Sequence, residues 1–223
     1  MNKKTRLLMA ATVAASFSAH AATYNGDLFI GFTTQSGKDL IYDIGQASTL
    51  FPGQTWNLSS SLTGAGITAL GGAKWGVIGD KSVNGIRYAW STSGNGVPPS
   101  IANAAVWGTV DTPTRSISSQ FSTLGLNQSV TPDSSFDNSW NQQTIVGTLV
   151  TQYHNVYEDP NTSGLKTVPF YGAAADGSIP ELVGTFSLGG NGVVSFVPEP
   201  GTFTLIGLGL LGFTLRGKIF RNS

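Results

Sequence analysis

The sequence predicts a mainly β fold: an antiparallel sheet or sandwich-like single domain with one or two short helices, continued by a C-terminal transmembrane helix. Three observations predict it. Charged residues make up only 11% of the chain, while glycine alone contributes 29 residues. Apolar residues alternate in short runs broken by turn residues, with no long amphipathic helical pattern, and this is the mark of many short strands. Near the C-terminus, Gly201 to Leu215 is apolar on every face and carries no charge.

In chain order, Met1 to Ala21 opens with Lys3, Lys4 and Arg6, continues with an apolar run from Leu7 to Phe17 and ends on Ala19-His20-Ala21. A basic start, a short apolar run and an A-x-A site predict a secretory signal peptide over 1–21, cut by signal peptidase after Ala21, with Ala22 the next choice. The exported β-rich domain then spans 22–196, long enough for a core of its own. The chain has no cysteine. That excludes disulfides, a thiol nucleophile and thiolate metal sites. The formal net charge of zero hides an asymmetry, because both termini are basic. Between them the body keeps six basic and eleven acidic residues, a net charge near −5. An acidic body excludes nucleic acid as a partner, since that affinity comes from basic patches on phosphates.

Within the domain, Tyr24 to Thr33 alternates Leu28, Ile30 and Phe32, and Asp39 to Ile44 alternates Leu40, Tyr42 and Ile44. Gln35-Ser36-Gly37-Lys38 between them reads as a hairpin turn. Ala73 to Gly79 and Ile86 to Thr92 form a second strand pair, with Asn84-Gly85 as its turn. Ser100 to Trp107 and Thr114 to Leu124 are the two helix candidates, the second with Thr114 as N-cap and Gly125 as its stop. Asn127 to Trp140 is polar and reads as loop, and Thr144 to Val150 and Thr151 to Tyr157 read as further strands. Leu182 to Leu188 and Val193 to Val197 close the domain as a hairpin around Gly189-Gly190-Asn191-Gly192. No internal repeat is present.

The last strand leads straight into residues 197–223. Pro198 and Pro200 lack backbone donors and disfavour helix before them, so Val197-Pro198-Glu199-Pro200 is expected to be extended and exposed. A helix can begin after Pro200. Fifteen helical residues reach roughly 22 Å, and continuing to Phe220 gives about 30 Å, the thickness of the hydrocarbon core. That span, about 201–220, requires Arg216 and Lys218 to snorkel. With Arg221 they form a basic tail that keeps the C-terminus cytoplasmic and the body outside. Gly207-Leu208-Gly209-Leu210-Leu211-Gly212 matches G-x-G-x-x-G, but the chain ends before the acidic residue that a dinucleotide site needs.

A short Val-Pro-Glu-Pro motif, a Gly/Leu-rich membrane segment and an Arg-containing end together resemble the PEP-CTERM sorting signal of Gram-negative bacteria. The resemblance implies recognition by an exosortase-type membrane enzyme through Pro198, Glu199 and Pro200, followed by removal of the membrane segment. It also implies an association with exopolysaccharide and biofilm. Gly26 to Phe32, Asp39 to Gly45 and Lys74 to Asp80 are similar to segments common in one group of PEP-CTERM proteins.

Catalytic signatures are sparse. His154 is the one histidine left after signal removal, which excludes a histidine-rich metal site. No G-x-S-x-G elbow and no phosphate loop occurs. Asp133 with Asp137, or Glu158 with Asp159, could serve glycoside hydrolysis only across a cleft, and no calcium-loop pattern frames them. They read as solvated turn residues, so no metal and no cofactor is expected. The tryptophans are the best lead. Trp75 and Trp90 sit on predicted strands and read as core. Trp56 and Trp140, each flanked by polar residues, read as the exposed pair and as a candidate glycan contact.

The expectation is therefore a non-enzymatic exported protein of the cell envelope or extracellular matrix. Its precursor is anchored in the inner membrane, and the processed form reaches the cell surface or the medium. A polysaccharide-binding module of the biofilm matrix is the alternative, and a secreted hydrolase the third. The partners are signal peptidase, the exosortase-type enzyme, the membrane and exopolysaccharide.

Overall fold

A computed structural model of the chain describes residues 26–99, 101, 104–146 and 159–199. The expected signal peptide and the expected membrane helix fall outside these residues. Among the described residues no helix is long and apolar enough to cross a membrane.

Among the described residues ten strands form one sheet. They are β1 (Asp27–Thr33), β2 (Leu40–Gln46), β3 (Thr55–Asn57), β4 (Lys74–Val83), β5 (Ile86–Thr92), β6 (Ser129–Val130), β7 (Thr162–Ser163), β8 (Thr167–Ala174), β9 (Glu181–Leu188) and β10 (Val193–Pro198). Their order is β3-β10-β9-β8-β5-β4-β1-β2-β6, with β7 pairing β4 off this path. Every pairing is antiparallel. The sandwich-like expectation is thus corrected to a single sheet curled into a half-barrel. Helix α1 (Ser59–Gly64) follows β3 at one edge, and its Ser61 hydroxyl lies 3.3 Å from that of Ser129 on β6 at the other edge. The two edges of the curled sheet meet across this helix.

The predicted hairpins form as read. Asn84 and Gly85 both take positive φ, 52° and 80°, the requirement of a two-residue turn matched to strand twist. Val83 and Ile86 close that turn as a pair. Alternation divides each strand between two cores. Leu28, Ile30, Phe32, Trp75, Val77, Phe170, Phe186 and Phe196 fill the inner face of the half-barrel. Phe29, Ile41, Ile78, Ala89 and Ala173 fill the outer face, covered by helix α2 (Ala104–Ser118) through Trp107, Val110 and Ile117, with Phe121 and Trp140 beside it.

Several expectations are corrected. The two short helices are one continuous helix followed by a 3-10 turn, Ser119–Phe121. Thr114 is no N-cap: its hydroxyl donates to the Val110 carbonyl at 3.1 Å, inside the helix. The left-handed residue after the helix is Asn127, φ 61°, and not Gly125. Gln142–Val146 forms a π-helical turn where a strand from Thr144 was expected. The rest of that strand, and Thr151 to Tyr157, lie outside the described residues. Strand β8, unforeseen, carries Pro169, whose carbonyl accepts the Ser93 N–H at 3.0 Å just past the last β5 pair. The missing proline donor falls where pairing stops, so the ladder loses nothing.

Candidate functional site

The expected glycan pair is not a site. Trp56 is 5% exposed and Trp140 is 0% exposed. Trp56 lies on β3 with its ring 6.0 Å from that of Phe186, in the inner core. Its neighbours Thr55 and Asn57 are exposed because residues next to each other on a strand face opposite sides. Trp140 lies flat on Gly31, where a Cβ would come within 1.8 Å of the indole. Its Nε1 donates to Asn161 Oδ1 at 2.7 Å. Of the polar residues around Trp140, Ser139 and Asn141 are themselves buried, although the Asn141 Oδ1 has no hydrogen-bond partner. Ser139 and Asn141 both donate to the Ser134 carbonyl, and Asp39 Oδ2 accepts the Asn141 N–H at 2.6 Å. Neither indole presents a face to a sugar.

The described members of the expected carboxylate pairs, Asp133, Asp137 and Asp159, sit in turns and connections. Asp133 accepts the Ser135 hydroxyl and N–H at 2.7 and 2.9 Å, which holds its carboxyl below the ordinary range. Asp159 accepts the Asn161 N–H at 2.9 Å. His154 and Glu158 lie outside the described residues. Among the described residues no group of three His, Asp or Glu could hold a metal ion.

The carboxyl furthest from its ordinary state is Asp80, which sequence reading passed over. It points from β4 to the outer face and is wholly buried. Burial first, and the Asp111 carboxyl of α2 second, push it up to about 9. Arg115, bonded to Asp111 at 2.9 Å, works against that rise. Asp80 is sealed between sheet and helix, so it is a buried acid with no route to a substrate.

Two features at one end of the sheet remain. The first is the exit of β10. Pro198 pairs with Gly184, and the Glu199 N–H donates to the Val183 carbonyl at 3.3 Å. The expected extended segment is extended, but its start is folded onto β9. On its other edge β10 is held as far as Phe196, which exchanges hydrogen bonds with Gln54 and Gly53.

The second is a hollow of about 430 Å³ on the inner face beside this exit, built on Tyr88 and Trp90 and bounded by Lys81, Ile86, Glu181 and Val183. The two rings stand 4.9 Å apart at 52°. Gly172 makes the room for Tyr88. Trp90 faces Gly79 on β4 and Gly172 on β8, and a Cβ at Gly172 would lie 2.4 Å from the Tyr88 hydroxyl. Burial, then the Glu181 charge, raise the Tyr88 phenol above its usual range. Ile86, Tyr88 and Trp90 at spacing two share one face, a signal present in the sequence. Of the glycines across from Trp90, Gly79 lies on the other arm of the Asn84-Gly85 hairpin, and Gly172 comes from a strand far away in the chain. A second hollow of about 440 Å³ at the opposite end is polar, with Lys74, Asn95, Asp159 and Lys166 around it.

A curled antiparallel domain whose final strand passes directly into a Pro-Glu-Pro segment, an uncharged apolar run and a basic end defines an exported protein with a C-terminal sorting signal. Residues 196–218 match the family described as the PEP-CTERM protein-sorting motif. The chain carries the signal of an exosortase substrate, exported and anchored at the membrane before processing. The matched residues include Pro198, Glu199, Pro200, Arg216 and Lys218, while Arg221 lies just beyond them. No curated protein and no solved structure matches the chain significantly.

Proposed function

We propose that this chain is a non-enzymatic component of the cell envelope or extracellular matrix. It is exported by its N-terminal leader and halted by a helix over about 201–220, with Arg216, Lys218 and Arg221 on the cytoplasmic side. An exosortase that reads Pro198-Glu199-Pro200 then releases it. The observation that carries this reading is the continuity of β10 with the motif. Strand β10 runs into the motif itself: Pro198 pairs with Gly184 and the Glu199 N–H bonds the Val183 carbonyl, so the motif starts as extended backbone at the end of the sheet. A processing enzyme needs extended, accessible backbone, and the two prolines keep helix from forming there. Intact mass and fractionation from the native host test it. Wild type is expected to lose its C-terminal segment and leave the inner membrane, while Glu199→Ala stays full length and anchored. If wild type also stays full length in the membrane, the tail is a plain anchor and the reading fails.

A second reading, polysaccharide binding, is favoured by the hollow at Tyr88 and Trp90. Two adjacent aromatic faces with Lys81 and Glu181 at the margin have the make-up of a sugar site: apolar stacking area with a few polar groups to orient hydroxyls. The Tyr88→Ala, Trp90→Ala double variant should lose retention on exopolysaccharide extracted from the host. Unchanged retention removes this hollow as the contact.

A further inference from the structure

The end of the sheet where the chain leaves the domain carries exposed apolar side chains. Antiparallel pairing brings together there the end of β10, the Phe51–Gln54 turn before β3, the Asn84-Gly85 turn and the connection from β8 to β9. Each of these four presents an apolar side chain to solvent: Val197, Phe51, Ile86 and Ile179, the last two 69% and 92% exposed. Among the described residues nine large apolar side chains are exposed. Four of them lie on this rim, where the chain leaves the domain, while Val97, past the end of β5, and Leu165, before β8, lie toward the opposite end. The hollow of Tyr88 and Trp90 opens beside this rim, and such rings favour the boundary between lipid and water.

We infer that this rim lies in the headgroup layer of the bilayer while the chain is still anchored. The inference rests on reading 201–220 as the membrane segment. The reason is chain length. The sheet holds the backbone through Glu199, and the uncharged run begins at Gly201. Two residues reach at most about 7 Å. The headgroup layer is itself about 5–8 Å thick on each side. A domain tethered that closely cannot keep its exit end in bulk water, and the four side chains at that end are of the kind a headgroup layer accepts. The rim carries Lys81 and Arg87 together with Asp176, Glu181 and Glu199. That near balance makes the contact apolar rather than an attraction to anionic lipid. While anchored, the bilayer covers the mouth of the aromatic hollow, and removal of the tail uncovers it.

The absence of cysteine permits a direct test. Ile86→Cys, Ile179→Cys and Leu165→Cys each carry one environment-sensitive fluorophore in the full chain. Leu165 is 52% exposed and sits before β8, at the opposite end of the sheet. The chain is reconstituted in vesicles of phosphatidylethanolamine with a minority of phosphatidylglycerol. Flotation with the vesicles, together with a blue shift at 86 and 179 and none at 165, is the expected result. If the chain floats but all three probes report water, the rim does not touch the bilayer and the inference is overturned, while the membrane segment stands. If the chain does not float, the membrane reading of 201–220 is wrong and the inference falls with it.

Discussion

The two faces of the sheet are buried by different chemistry. The inner face is hydrocarbon and aromatic rings: Phe170, Phe186 and Phe196 contact one another with centroids 5.0 to 6.3 Å apart. The outer face mixes apolar residues with ionisable and amide groups under α2 and the 133–144 loop, namely Asp39, Asp80, Asp111, Asn141 and Asn161. Apolar burial is indifferent to pH and tolerant in geometry. Polar burial holds only while each group keeps its partner and its proton. The inner face should therefore supply bulk stability, and the outer face should fix a single arrangement of helix and loop on the sheet.

The sharpest break in that comparison is Trp140→Ala. It empties the space over Gly31 and leaves Asn161 Oδ1 without its donor. A large-to-small aromatic change costs about 3–5 kcal/mol, and an orphaned buried acceptor adds about 1–3. Phe186→Ala on the inner face should cost about 3–5 kcal/mol with no orphaned group. Urea unfolding of both variants checks the order. Equal losses would mean that the Asn161 bond contributes nothing.

Asp80→Asn tests the pH contrast. Folding raises the Asp80 pKa from an ordinary 3.8 to about 9, so at intermediate pH the folded state holds a proton that the unfolded state has released. More protons on the folded side mean that stability falls as pH rises from about 4 to about 9, by up to about 1.4 kcal/mol per pH unit. Asp43, raised to about 6 by burial, adds to the slope only at the acid end. Asparagine does not titrate. The variant should match wild type near pH 4, and its stability should decline much less between pH 6 and 9. Urea midpoints across that window decide it, and an unchanged slope would mean that Asp80 is not the buried acid.

The same contrast explains what was legible in the sequence. Strands β1, β2, β4, β5, β9 and β10 were readable because alternation and turn residues are local. Pro169 hid β8, since a proline within a run argues against an interior strand unless pairing happens to end there. Gly108 and Pro113 split one helix into two candidates. The tryptophans failed for two separate reasons. Polar neighbours of Trp56 lie on the opposite face of a strand. Polar neighbours of Trp140 are buried because they bond to Ser134 and Asp39, and that depends on long-range folding. Asp80 was passed over because nothing local says that α2 will cover it. In the candidate site, the sorting motif was fully legible because its chemistry is contiguous. The aromatic hollow was half legible. The spacing of Tyr88 and Trp90 put both rings on one face, but Gly172, which opens the space for Tyr88, belongs to the distant strand β8.

The smallest effect is expected where that glycine meets the ring. In Gly172→Ala the new methyl would lie 2.4 Å from the Tyr88 hydroxyl, 2.6 Å from Cε1 and 2.8 Å from Cζ, all of them atoms of a half-buried side chain. Tyr88 can swing toward solvent, so the cost should be about 1 kcal/mol, the low end for overpacking. Displacing the ring nevertheless reshapes the hollow. Retention on exopolysaccharide should drop while the urea midpoint barely moves. That combination separates a binding face from a core, because a packing position such as Phe186 loses stability and binding together. If Gly172→Ala retains sugar fully although the ring has moved, Tyr88 is not part of the contact, and Trp90 alone must carry it.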